Sequence, residues 1–288
     1  MKLEQKPRIL IVGLGLIGGS YAKALIKKGH SVSAIDSRQE AIDYAIKEHI
    51  IDKGAAIPDP ALISEAQLIV FALYPKVFID WIREYQQHFS PGTVLTDVTG
   101  VKGSVVYTVQ EMLRPDVEFI PAHPMAGREV YGVENSDERI FREANYIVTP
   151  TERNTEEAIL LCEELGRELG FARVSRLSPE KHDDMIGFLS QLTHCIAVTL
   201  MNCNDSPQLQ DYTGDSFRDL TRIARINDKM WSELFMMNRE ALLKHMNAFS
   251  ESFNNLRQML ENNDVDTMRE AMRNATARRA LFDKKVNE

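Results

Sequence analysis

Cysteine is scarce in this 288-residue chain. Cys162, Cys195 and Cys203 form no C-x-x-C pair, which suits free, mostly packed thiols in a reducing cytoplasm. Excess positive charge is also absent. The formal net charge is −8, which argues against a nucleic-acid binder. No apolar run reaches the ~18 residues of a membrane span, so none is expected. Polar residues and glycines interrupt the N-terminus too early for a signal peptide. Internal repeats and low-complexity tracts are lacking. What remains is ordinary for a soluble globular protein, with 44% hydrophobic and 26% charged residues. The length implies two domains, because one core rarely grows past ~250–300 residues.

The stretch from Arg8 to Asp36 carries the strongest local signal. Ile9 to Val12 read as a strand buried on both faces. Gly13, Gly15 and Gly18 follow with G-x-G-x-x-G spacing, then a helix over Ser20 to Lys28, stopped by Gly29. Ser31 to Ile35 form a second strand, and Asp36 closes it. Gly13 allows a tight turn, Gly15 lets backbone approach a pyrophosphate, and Gly18 lets helix pack on strand. The helix N-terminus presents free N–H groups to the phosphates. Asp36 follows Gly18 at close to the ~20-residue spacing of a ribose ligand. Its charge favours NAD over NADP, with Arg38 a mild counterweight. Leu16, Ile17, Leu73 and Pro75 complete the expected cofactor contacts.

Further along, helices are predicted over about 38–49 and 102–113, and from Pro75 with Phe78, Trp81 and Ile82 inward. Strands are predicted over 67–73, 93–97, 118–122 and 146–149, and a helix over about 155–169. This alternation implies an α/β fold with a mostly parallel, doubly wound Rossmann-type sheet. At Ser178-Pro179-Glu180 the pattern changes. Serine at N-cap and proline at N1 start a helix. No convincing strand follows, and helices are predicted over about 179–203, 216–226, 228–262 and 264–285. The domain expectation is therefore 1–177 for the nucleotide and 178–288 for an all-α region. Its abundant apolar positions predict a homodimer.

Ligands of a doubly wound sheet bind outside the carboxyl ends of the strands. Asp36, the Thr99–Lys102 segment and His123 fall there. His123 ends a strand before Pro124, where a histidine can take a proton from a hydroxyl near a nicotinamide. Ser190 and His194 share one helix face, with His182 two turns earlier, as a polar stripe that can contact substrate. Arg218, Arg222 and Arg225 recur on a predicted helix, and an arginine fork can bind a carboxylate bidentately. His182-Asp183 and His194 match no metal-ligand spacing, so no metal is expected.

His123-Pro124-Met125-Ala126-Gly127, Ser178-Pro179-Glu180 with His182-Asp183, Ser190 to His194, and Phe217 to Ala224 with Met230-Trp231 resemble the prephenate/arogenate dehydrogenases of tyrosine biosynthesis. The resemblance spans about 8–260. It implies a cytoplasmic homodimer with a helical dimerisation domain, using NAD to oxidise and decarboxylate a small dicarboxylate, prephenate or arogenate. It makes His123 the catalytic group on the ring hydroxyl and His194 a further contact in the pocket. Arg222 becomes the carboxylate ligand, and Trp231 a neighbour at the dimer seam. The family's usual Gly-Ser-Val-Lys is Thr99-Gly100-Val101-Lys102 here, so Thr99 is the candidate for the missing hydroxyl. Gln191 stands where relatives often have histidine. Arg128 replaces a threonine found in some relatives, at a place suited to a carboxylate. A β-hydroxyacid-type dehydrogenase is the alternative enzyme, although it usually relies on a helical-domain lysine, and only Lys181 is offered. A non-catalytic NAD-sensing protein would have no reason to keep His123, His194 and Arg222 together.

Overall fold

The computed structural model describes residues 2–128 and 130–283. In chain order the first elements are β1 (Ile9–Val12), α1 (Leu16–Lys27), β2 (Val32–Ile35), α2 (Gln39–Lys47), β3 (Lys53–Ala55), α3 (Pro60–Glu65), β4 (Leu68–Phe71), α4 (Pro75–Tyr85), β5 (Val94–Asp97), α5 (Gly103–Met112) and β6 (Glu118–Phe119). The six strands form one parallel sheet in the order β3-β2-β1-β4-β5-β6. This is the doubly wound nucleotide-binding order, whose crevice opens between β1 and β4. Period-two alternation divides the core. Ile9 and Ile11 point into one layer, while Leu10 and Val12 point into the other.

The predicted strand over 118–122 is two strands in two sheets. Pro121 has no N–H to continue the ladder. The next N–H, that of Ala122, turns to the Asp97 carboxylate at 3.0 Å. The chain then enters β7 (Ala122–Pro124), which pairs antiparallel with β8 (Asn145–Val148). After α6 (Glu156–Glu168), β9 (Arg173–Arg176) joins β8 in parallel. His123 therefore sits inside a strand rather than at its end. The strands β3 and β9 are short and lack a buried apolar run, which is why the pattern missed them. The equally unforeseen α3 had its signal, since Asp59 caps it and Pro60 opens it.

Beyond Ser178, whose hydroxyl accepts the Lys181 N–H, come α7 (Pro179–Ile186), a π-helical segment over Gly187–Leu192, and α8 (Thr193–Asn202). This continuous stretch is long and apolar enough, by length and composition, to cross a membrane, contrary to the expectation from uninterrupted runs. It also carries the buried polar residues His182, Asp183 and Gln191. Next come α9 (Asp215–Thr221), a short 3-10 turn over Arg222–Ala224, and α10 (Asp228–Met237). The predicted helix over 228–262 breaks at Asn238, where the backbone leaves helical geometry (φ −116, ψ 28). The Asn238 amide donates to the Asp183 carbonyl at 2.9 Å and to Gln191 Oε1 at 2.8 Å. Those bonds hold the break.

The chain divides into two compact units, residues 1–239 and 240–288. The second unit contains most of α11 (Arg239–Glu261), followed by α12 (Val265–Arg279). Positions 284–285 of the predicted last helix lie outside the described residues. On α11, Met246, Phe249, Phe253, Leu256 and Leu260 are exposed at alternating spacings of three and four, which places them on one helix face.

Candidate active site

The glycine loop is shaped by sterics. Gly13 has φ +100, and a Cβ there would lie 2.5 Å from the Ala72 carbonyl oxygen and 3.0 Å from Leu73. A Cβ on Gly18 would overlap the Gly13 carbonyl, whereas one on Gly15 would meet nothing within 4 Å. The face of Gly15 is thus open at the N-terminus of α1, where Leu16 and Ile17 begin the helix. Asp36 ties the loop to the end of β2. Its Oδ2 accepts the Leu14 N–H at 2.6 Å and its Oδ1 accepts the Arg38 N–H at 2.9 Å. The Arg38 guanidinium donates to Asp36 at 3.2 Å and to the Leu14 carbonyl at 3.0 Å. Pro75 opens α4 at the same edge of the sheet.

Beside this edge lies a buried ion pair. Lys102 and Asp97 are both 0% exposed, with Nζ 2.7 Å from Oδ2. Lys102 also donates to the Thr99 hydroxyl at 3.2 Å and to the Ala122 carbonyl. Asp97 in turn accepts the Thr99 and Ala122 N–H groups, each at 3.0 Å. Burial lowers the Lys102 pKa, and Asp97 opposes the shift. The Thr99 hydroxyl donates to Asp97, and the residue is 3% exposed. Thr99, the candidate for the missing hydroxyl, thus has that hydroxyl engaged with Asp97 in the loop after β5.

His123 is half-buried. Its Nδ1 lies 2.8 Å from His182 Nε2, and His182 Nδ1 lies 2.8 Å from Asp183 Oδ1. The Asp183 carboxylate also accepts the Lys102 N–H at 2.8 Å and the Gly103 N–H at 2.7 Å, so it caps α5. Burial, then the adjacent His182 and Lys102, hold the His123 pKa well below its ordinary value. Burial lowers that of His182 too, against its hydrogen bond to the Asp183 carboxylate. The remaining nitrogen of His123, Nε2, faces Gly100. A Cβ on Gly100 would sit 3.8 Å from it and 3.7 Å from Leu234.

Leu234 belongs to α10, which carries the second cluster. Three residues earlier, Trp231 lies against the His194 ring, with centroids 3.7 Å apart at 30°. His194 Nδ1 donates to the Ser190 carbonyl at 2.9 Å. Ser190 thus engages His194 through its backbone. Gln191 is 1% exposed and donates to the Leu234 carbonyl at 3.1 Å. The predicted stripe of His182, Ser190 and His194 is therefore divided, with His182 directed at His123. The π-helical segment between them alters the helical phase, and such segments recur at functional sites.

Arg218, Arg222 and Arg225 line a cavity of about 670 Å³ together with Met201, Asn202 and Thr221. Neither His123 nor His194 is among its lining residues. All three arginines are exposed, and Arg218 donates to Asp215 at 2.6 Å. Arg128 is exposed and lies 3.5 Å from Asp137. The Asp97–Lys102 pair and the His182–Asp183 link are what sequence reasoning missed. The available signal was the adjacent His182-Asp183 at the start of an otherwise apolar helix.

Two family descriptions match the chain: "Prephenate dehydrogenase, nucleotide-binding domain" over residues 21–174, and "Prephenate dehydrogenase, dimerization domain" over 178–274. A prephenate dehydrogenase of Lactococcus lactis is 30% identical over 253 residues, 85% of this chain and 68% of the relative. A cyclohexadienyl dehydrogenase of Zymomonas mobilis is 28% identical over 274 residues, 91% of each protein. The crystal structure of the Aquifex aeolicus prephenate dehydrogenase with hydroxyphenyl propionate and NAD+ matches with a TM-score of 0.88 at 29% identity. It covers 96% of this chain and 98% of that one. With its doubly wound sheet, helical region and paired histidines, the chain belongs to the prephenate dehydrogenase family.

Proposed function

We propose that this protein is an NAD-dependent oxidoreductase that oxidatively decarboxylates prephenate to 4-hydroxyphenylpyruvate in tyrosine biosynthesis. The observation that carries the reading within this family is a half-buried histidine, His123, whose Nε2 is turned toward Gly100, 3.8 Å from where a Cβ there would sit. Residues 1–177 hold the nucleotide. Gly13, Gly15, Leu16, Ile17 and Gly18 form the loop and helix start that would hold its pyrophosphate, with Asp36 and Arg38 toward its adenosine ribose and Leu73 and Pro75 beside it. The open face of Gly15 and the acidic end of β2 fit such a group. NAD supplies a hydride acceptor when bound.

His123 takes the proton of the ring hydroxyl as the hydroxyl-bearing carbon becomes a carbonyl. Loss of the ring carboxylate as CO2 then aromatises the ring and drives the reaction. The protein therefore needs chiefly to position the substrate and polarise its O–H. Residues 178–288 supply substrate contacts and the homodimer interface. Arg222 pairs with the side-chain carboxylate, His194 on Trp231 contacts substrate beside Ser190, and Arg128 serves a carboxylate. A dicarboxylate substrate accounts for an arginine cluster in a chain of net charge −8. The exposed apolar row on α11 supports pairing with a second copy. Three free cysteines suit a cytoplasmic location.

The test is His123→Asn, followed by NADH formation with prephenate and, in parallel, arogenate. The variant should bind substrate and lose about 10²–10⁴-fold in kcat. The base works when neutral, and its pKa is lowered. Wild-type kcat/KM should therefore be level at neutral pH and fall only on an acid limb below the usual ~6.5 of histidine. That limb should be missing in the variant. Full kcat with an unchanged profile would refute the assignment of His123.

A further inference from the structure

We infer that His182, backed by Asp183, is a positioning residue that fixes which ring nitrogen of His123 carries the proton. The inference deepens the reading of His123 as the base and rests on it. A carboxylate only accepts hydrogen bonds. Asp183 already accepts two backbone N–H groups at the start of α5, so its third partner, His182 Nδ1 at 2.8 Å, must be a donor. A neutral imidazole has one N–H. His182 Nε2 is therefore a lone pair, and His123 Nδ1, 2.8 Å away, must donate to it. That leaves His123 Nε2 bare, and Nε2 is the atom that faces Gly100. The order Asp183, His182, His123 thus leaves a proton acceptor on the side of the ring turned toward Gly100.

Two conditions keep the order fixed. His182 is 0% exposed, so no solvent route replaces either bond. The charged groups facing the pair are Lys102, Asp97 and Asp183. The Lys102 ammonium disfavours a second proton on either ring. An imidazole without such partners prefers its proton on Nε2, the wrong nitrogen for a base that acts on the Gly100 side. The arrangement works as an orienting carboxylate does behind a catalytic histidine, with a second histidine interposed.

The experiment pairs nitrogen NMR of the histidine rings with kinetics on the full-length protein. At neutral pH, wild-type His123 should show a protonated Nδ1 and a bare Nε2, with and without NAD. Asp183→Asn can donate to His182 and should reverse the pattern, lowering kcat by roughly 10²–10⁴-fold with little change in KM. His182→Gln retains an acceptor toward His123 and a donor toward Asp183. It should keep the wild-type pattern and most of kcat, whereas His182→Leu should lose about tenfold. A protonated Nε2 on wild-type His123, or a Gln variant as impaired as Leu, would overturn the inference. Should the Leu variant fail to fold, the wild-type and Gln spectra decide. A fully active His123→Asn with the stated nitrogen pattern would instead remove the base reading and leave the tautomer assignment standing.

Discussion

Replacing Lys102 with methionine tests how the position of His123 is held. The ammonium makes three contacts: Asp97 at 2.7 Å, the Thr99 hydroxyl at 3.2 Å, and the Ala122 carbonyl. Methionine fills similar volume and makes none of them. Asp97 then keeps only neutral donors, the N–H groups of Thr99 and Ala122 and the Thr99 hydroxyl, at a position with 0% exposure. The Ala122 carbonyl loses its lysine partner. Stranding one member of a buried ion pair costs about 3–5 kcal/mol, a large part of the ~5–15 kcal/mol that stabilises a typical domain. Urea unfolding at pH 7.5 should show this loss as a lower midpoint with an unchanged slope. Adding Asp97→Asn removes the stranded charge, so the double variant should regain about 2 kcal/mol over Lys102→Met alone. Because Ala122 precedes His123 and is gripped from both sides, kcat should fall as well. A Lys102→Met protein within about 1 kcal/mol of wild type would refute the argument that this pair anchors β7 to β5.

The other predictions concern the two ligand sites. Gly18→Ala should abolish soluble folded protein or NAD binding, because its Cβ overlaps the Gly13 carbonyl. Gly15→Ala should fold with an unchanged Tm and bind NAD more weakly, since its Cβ meets only open space; calorimetry and nucleotide titration separate the two, and equal behaviour would count against the steric reading. Kinetics with both nucleotides should favour NAD over NADP, and Asp36→Ala should narrow the ratio while loosening a loop that depends on the Leu14 N–H bond. Arg222→Ala should raise KM for prephenate about 10–150-fold, the worth of a charge-assisted pair of ~1.5–3 kcal/mol; an unchanged KM would transfer the role to Arg225, which lines the same cavity.

The parts of the fold legible in the sequence are those written locally. β1, the glycine loop, α1 and β2 lie within one short stretch, and each signal concerns neighbours in the chain: a buried apolar run, a positive-φ glycine, a helix start. The same holds for the Ser178 cap and Pro179. Interactions that join distant segments were not legible. Helical spacing makes His182 a companion of Ser190 and His194, yet its partner is His123 on strand β7. Spacing could not anticipate the π-helical segment at Gly187–Leu192, which changes phase between the two histidines. For Thr99 the sequence shows that a hydroxyl exists, not that Asp97 engages it. The break at Asn238 has the same character. Helical periodicity runs through it, and two tertiary hydrogen bonds decide otherwise.

The buried ion pair and the paired histidines form one electrostatic unit. A histidine that must accept a proton at neutral pH has to remain neutral beforehand, and burial alone would achieve that at the expense of an unsatisfied ring nitrogen. Here the nitrogen of His123 turned away from Gly100 is satisfied by His182, and the corresponding nitrogen of His182 by Asp183. A carboxylate placed directly against His123 would favour the imidazolium and raise its pKa, so that less of the ring would be neutral and able to accept a proton at neutral pH. Interposing His182 places a neutral ring between His123 and Asp183, while Lys102 contributes the opposite bias. Lys102 is itself held by Asp97, so the positive charge near the base is fixed in place and largely compensated. The backbone N–H of Lys102 caps onto Asp183 while its side chain reaches Asp97. This one residue therefore couples the orientation of the histidine pair to the strand that carries His123.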